Sequence, residues 1–154
     1  MNSLRRTFIE RISGIGALVA ASATGLFRSG HAWAARNDAG FESKAIAGAL
    51  KSLGATNATE SKDISITAPD IAENGAIVPV AVTSRIPNTE QISILAEKNP
   101  FPLAATFDLA AGSDSYVSTR LKMGQTCDIW AVVKAGGQFY VAKKEVKITV
   151  GGCG

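Results

Sequence analysis

Between residues 64 and 150 the chain is cut into short β-type runs, each stopped by Gly, Pro, Asn or Asp before it reads as a helix. Ile64-Ser65-Ile66-Thr67 alternates apolar and polar residues, and Ala68-Pro69-Asp70 breaks it. Asn74-Gly75 signals a turn ahead of Ile77–Thr83, where Val78, Val80 and Val82 share one face. Pro79 inside that run predicts an edge strand or a bulge, because proline has no N–H for a ladder. Gln91–Lys98, Leu103–Leu109, Ser115–Met123 and Thr126–Lys134 follow, and Ala135-Gly136-Gly137 turns into Gln138–Val150. A turn signal every ten residues or so predicts a mainly β chain, an Ig-like antiparallel β-sandwich of about seven strands. Ahead of it, Phe41, Ala45, Ala49 and Leu53 recur at spacing four, with Ile46 and Leu50 widening the face. That pattern predicts one N-terminal helix over Ala35–Gly54, capped by Asn37 or Asp38 and closed at Gly54.

The first 34 residues have a different character. They hold Arg5, Arg6, Arg11 and Arg28 against Glu10 alone, which accounts for the whole formal charge of +3. The single histidine, His31, is there too. Arg5-Arg6 precedes Thr7-Phe8-Ile9, a moderately apolar stretch Ile12–Phe27, and Ala32-Trp33-Ala34, an A-x-A cleavage site. The reading is a twin-arginine export signal over 1–34, with a mature domain over 35–154 delivered to the periplasm. An ordinary leader with a chance arginine pair is the alternative. An apolar stretch this short, followed by a cleavage site, argues against a retained membrane anchor.

The mature segment has balanced charge and no histidine. The neutral balance gives no footing for nucleic acid, and the missing histidine removes His-based metal sites and His-containing triads. No glycine-rich nucleotide loop is present. No cofactor is expected, so a partner protein explains folded export better than a bound group does.

The chemistry is concentrated at the end. Val146–Val150 alternates as a strand, then the chain closes with Gly151-Gly152-Cys153-Gly154. Gly151, Gly152 and Gly154 contribute no side-chain packing and maximise backbone freedom, so a flexible arm of about 10 Å is expected to carry Cys153 beyond the last strand. The competing reading is a disulfide to Cys127. If the last two strands turn about Gly136, residue 127 faces residue 145, and Val150 lies about 16 Å further along, beyond the reach of such an arm. Cys127 alternates with Ile129, Ala131 and Val133, the pattern of a core position. Lys143, Lys144 and Lys147 form a basic patch next to the arm, read as a solvated face or an anion-attracting surface, and Trp130 reads as a packing residue or binding hot spot.

The ending Lys144–Gly154 resembles the carboxy-terminal arm of the SoxY family. Ala68–Val80 and Lys98-Asn99-Pro100 look like that family as well. The resemblance implies a carrier and not a catalyst: a subunit of a periplasmic thiosulfate-oxidising system that holds sulfur intermediates on Cys153. It also implies partners: a SoxZ-like small β-sandwich subunit in a heterodimer, a haem-containing protein that couples thiosulfate to the thiol, a sulfate-releasing metallohydrolase and a sulfane dehydrogenase. The single Gly154 after the cysteine is a shorter tip than some family members have. A reading from another class is an Ig-like assembly or adhesion subunit whose terminal cysteine forms an intermolecular disulfide.

Overall fold

The tightest turn in the sequence closes the longest strand pair in the structure, a computed structural model that describes residues 36–149. Gly136 and Gly137 both have positive φ, 56° and 76°, the backbone that a two-residue hairpin turn matched to strand twist requires. In chain order the elements are α1 (Asp38–Phe41), α2 (Ile46–Leu53), β1 (Thr59–Glu60), β2 (Ile64–Thr67), β3 (Ile71–Ala72) and β4 (Val78–Ser84). Then come β5 (Thr89–Ala96), β6 (Leu103–Asp108), β7 (Tyr116–Leu121), β8 (Cys127–Ala135) and β9 (Gln138–Ile148). They form two sheets. The larger runs β1-β9-β8-β5-β6 with β3 also on β9, and the smaller runs β2-β4-β7. All pairings are antiparallel except those of β1 and β3, which lie parallel to β9. The expected mainly β sandwich is present.

The valines of β4 supply one wall of the core. Val78, Val80 and Val82 face Ile92 and Ile94 of β5, Ile129, Ala131 and Val133 of β8, and Val146 of β9. Each fully buried Val or Ile stabilises the fold by about 1.5–3 kcal/mol. The large sheet is also covered on its other face. There Leu95, Leu103, Val132 and Val141 pack with Ala49 and Ala55, flanked by Leu50, Leu53 and Phe139. Burial on both faces explains why β5 and β8 read as nearly unbroken apolar runs while β4 alternates. Ser93, buried within β5, meets its polar requirement through Thr106 Oγ1 at 3.1 Å.

Three expectations change. The single helix over Ala35–Gly54 is two: Glu42 caps α1, and Ala45 is extended at φ −133°, ψ 144° before α2 begins. The cause is local polar bonding that an apolar count does not see. Ser43 Oγ donates to Ala45 O at 2.9 Å, and Asn37 both accepts from Gly40 N–H and donates to Ser52 O, each at 3.0 Å. Asn37 is the N-cap and Gly54 the left-handed C-cap, as the sequence indicates. Pro79 lies in the central strand of the small sheet and not on an edge. β2 pairs only with residues 81–84 of β4, so Pro79 sits past the end of that ladder. Finally, β1 and β3 are two residues each and carry no periodic signal; pairing with β9 creates them.

Gly40 makes the close approach between α1 and α2 that lets the pair settle on the sheet. A Cβ at this position would lie 2.6 Å from Ser52 Oγ and 2.9 Å from Leu103 Cδ2. Gly40→Ala is expected to lower unfolding free energy by about 1–3 kcal/mol in a urea melt, without loss of sheet signal in circular dichroism.

Candidate functional site

The strand that leads to the carboxy terminus is held on both edges up to its last residues. Cys127 pairs with Val146 on the β8 side. On the other side Lys147 N–H donates to Asp70 O at 2.9 Å and Thr149 N–H to Ala72 O at 3.2 Å. Ile148 N–H donates to Thr126 Oγ1 at 2.9 Å. Lys144 Nζ donates to Ala68 O at 2.7 Å and lies 3.1 Å from Asp70 Oδ1, which ties the approach to β3 down on β9. Asp70 is highly exposed, so the ion pair itself adds little, and the partly buried carbonyl bond carries more. The root of the arm is thus fixed at Thr149. Cys153, the expected attachment residue, and Gly151, Gly152 and Gly154 lie outside the described residues. From Thr149 to residue 153 an extended chain spans at most about 14 Å.

Three loops share this end of the sandwich with the arm root, and they are laced together. Met123 N–H donates to Gly75 O at 2.7 Å. Asn99 Nδ2 donates to Lys122 O at 2.7 Å, and Asn99 Oδ1 accepts from Gly124 N–H at 3.3 Å. Gln125 Nε2 reaches Lys98 O at 3.4 Å. The segments 68–80, 98–100 and the end of β9, far apart in sequence, therefore meet at one place.

Cys127 sits beneath this end and is 3% exposed. It faces Val146 and not residue 145, because the two glycines both occupy the turn and its centre falls between them. Cys127 is a free cysteine packed in the core with Met123, Ile129 and Val146. Burial pushes its thiol up from the ordinary value, and backbone N–H groups of Lys98 and Glu97 offset this only in part. Its role is packing.

The three lysines near the arm do not form one patch. Lys144 turns toward Asp70, while Lys143 lies on the opposite face of β9 with its Nζ 3.8 Å from the centre of the Trp130 ring. Lys147 shares the outer face with Lys143 by strand alternation. Trp130 packs beside the helical layer, with its Nε1 buried and without a hydrogen-bond partner among the described residues. Among the described residues no three metal-ligating side chains converge. Sequence reading passed over Thr126, Asp70 and Ala72, whose part in fixing the arm root is visible only once β3 lies beside β9.

The model of the family described as sulfur oxidation protein SoxY matches residues 50–153, a span that includes Cys153. The chain belongs to the SoxY family. Among solved structures it is similar to the sulfur carrier protein SoxY from Chlorobium limicola f thiosulfatophilum, at 40% identity and a TM-score of 0.63. That match covers 70% of this chain and 94% of the other. A weaker likeness is to a superoxide reductase (neelaredoxin) from Ignicoccus hospitalis, at 20% identity and a TM-score of 0.49, covering 55% and 78% of the two chains. No curated protein matches.

Two outcomes test this description. Iodoacetamide at pH 8 should modify native protein once, at Cys153, and reach Cys127 only after denaturation, as peptide mass mapping would read. Thr126→Val should remove about 1 kcal/mol of local stability at the strand end and speed amide exchange at residue 148 about fivefold, with the remote core unchanged.

Proposed function

We propose that this protein carries sulfur intermediates covalently on Cys153 during periplasmic thiosulfate oxidation, and that it is a substrate-bearing subunit and not a catalyst. The observation that carries this reading is a family match extending through residue 153, on a chain whose preceding strand is anchored to within four residues of that thiol. The anchored root gives the thiol a defined origin, and the short glycine-rich tail gives it reach.

The chemistry follows from the thiolate as nucleophile. The Cys153 thiolate and thiosulfate join through a new S–S bond, and two electrons leave to a haem-containing partner, which gives a cysteine S-thiosulfonate. Water then cleaves the terminal sulfur–sulfur bond in a metallohydrolase, releasing sulfate and two protons and leaving a persulfide anion on Cys153. A sulfane dehydrogenase or a further acceptor takes that sulfur. The body of the protein keeps the intermediate attached while different active sites visit it, so reactive sulfur stays out of bulk solution. A SoxZ-like small β-sandwich subunit completes the carrier as a heterodimer. The export signal read at residues 1–34 supports a periplasmic address, and folding with such a subunit before export supplies a reason for the twin-arginine route.

The test is intact-mass analysis of the protein isolated from cells growing on thiosulfate. The carrier reading expects a thiosulfate group or sulfane sulfur on Cys153, removed by reductant, and loss of thiosulfate oxidation in Cys153→Ser. The assembly-subunit reading expects Cys153→Ser to abolish a covalent dimer and leave thiosulfate oxidation intact. An unmodified thiol under all such conditions would sink the carrier reading.

A further inference from the structure

The arm emerges from a part of the surface with an unusual share of exposed apolar side chains. Four large hydrophobic residues stand out from the described surface: Ile71 at 58% exposure, Ile77 at 61%, Phe101 at 50% and Tyr116 at 55%. The first three lie at the end where β9 finishes. Ile71 is paired with Lys147 in β3, Ile77 precedes β4 on the loop latched through Gly75, and Phe101 follows Asn99 on the loop latched to Lys122 and Gly124. Tyr116 starts β7 opposite Thr83 and so lies at the other end of the sandwich. None of the three is needed for the core, which closes beneath them.

The length of the tail decides what covers them. Only four residues separate Thr149 from Cys153, so the thiol stays within about 14 Å of the strand end. An active site that takes this thiol into a cleft must bring the rim of that cleft against the loops around the arm root. We propose that Ile71, Ile77 and Phe101 form the docking surface for the enzyme that couples thiosulfate to Cys153, and that this enzyme has an apolar rim around a cleft no deeper than the arm is long. The inference rests on the carrier reading above. Charge at this end is mixed, with Lys98, Lys122 and Lys147 set among Glu73, Glu97 and Glu145, so it offers no single-sign field for steering. Recognition is therefore apolar and depends weakly on salt. Three separate side chains on loops suit a brief handover better than a permanent subunit interface, which is larger and continuous.

The experiment compares the mature chain in complex with its small companion subunit, as wild type, as the Ile71→Gln/Ile77→Gln/Phe101→Gln triple variant, and as Tyr116→Gln. The coupling enzyme and thiosulfate are supplied, and loading of Cys153 is followed by mass spectrometry across carrier concentration, at low and moderate sodium chloride. Alkylation of Cys153 by iodoacetamide, which needs no docking, checks that the arm is intact. The expected result is a rise in KM for the carrier of at least about tenfold in the triple variant, with alkylation, companion binding and the melting transition unchanged. Tyr116→Gln should behave as wild type, and wild-type KM should change little with salt. Wild-type loading by the triple variant overturns the docking surface and leaves the carrier reading standing. Loss of the companion subunit from the triple variant overturns it too, by assigning the three residues to the permanent interface. A wild-type chain that coupling enzyme and thiosulfate never load overturns the carrier reading, and the docking surface with it.

Discussion

Strand β9 is the constraint on which the rest of this structure depends. It is the longest strand in the described chain, and it is paired along both edges: β8 on one, β1 and then β3 on the other. Its buried residues serve both hydrophobic layers, Val146 in the sandwich core and Val141 beneath the helices. A shift of one residue in its register would turn each of these side chains to the wrong face. The Gly136–Gly137 turn sets that register at one end, and the bonds to Asp70, Ala72 and Thr126 hold it at the other.

The two parallel pairings explain how a sandwich supports an extension of its last strand. An unpaired strand end frays, because its N–H and C=O groups find water as readily as each other. Here β3 reaches back across the chain to occupy those groups, at the cost of placing Ile71 on the surface. The fold thus converts a piece of local sequence with almost no β pattern into the support for the functional end.

The sandwich was legible because turn chemistry and alternation are local signals. Val78, Val80 and Val82 declare their face, and Gly136-Gly137 declares its hairpin, without knowledge of the rest of the chain. Where tertiary contacts decide, the sequence was less informative. The helix over 35–54 divides because Asn37 and Ser43 bond to backbone that periodicity ignores. Pro79 occurs in a central strand because its neighbour happens to stop short. The attachment residue was legible as a cysteine between glycines, but the residues that fix where its arm starts were not. Thr126 and Ala72 are ordinary residue types that acquire their role only from position. The division of the basic patch has the same origin: adjacent lysines on a strand point to opposite faces.

The burial of Cys127 has a consequence for whatever Cys153 holds. A thiolate that could reach a neighbouring persulfide or thiosulfonate would attack its inner sulfur, close a ring within the same chain, and expel the cargo. Such a resolving thiol is useful in an oxidoreductase and ruinous in a carrier. With its sulfur enclosed by Met123, Ile129 and Val146 and its proton held more tightly by burial, Cys127 is excluded from that chemistry. The core therefore does more than support the arm: by hiding the second sulfur atom, it leaves the chain without an internal route for premature discharge.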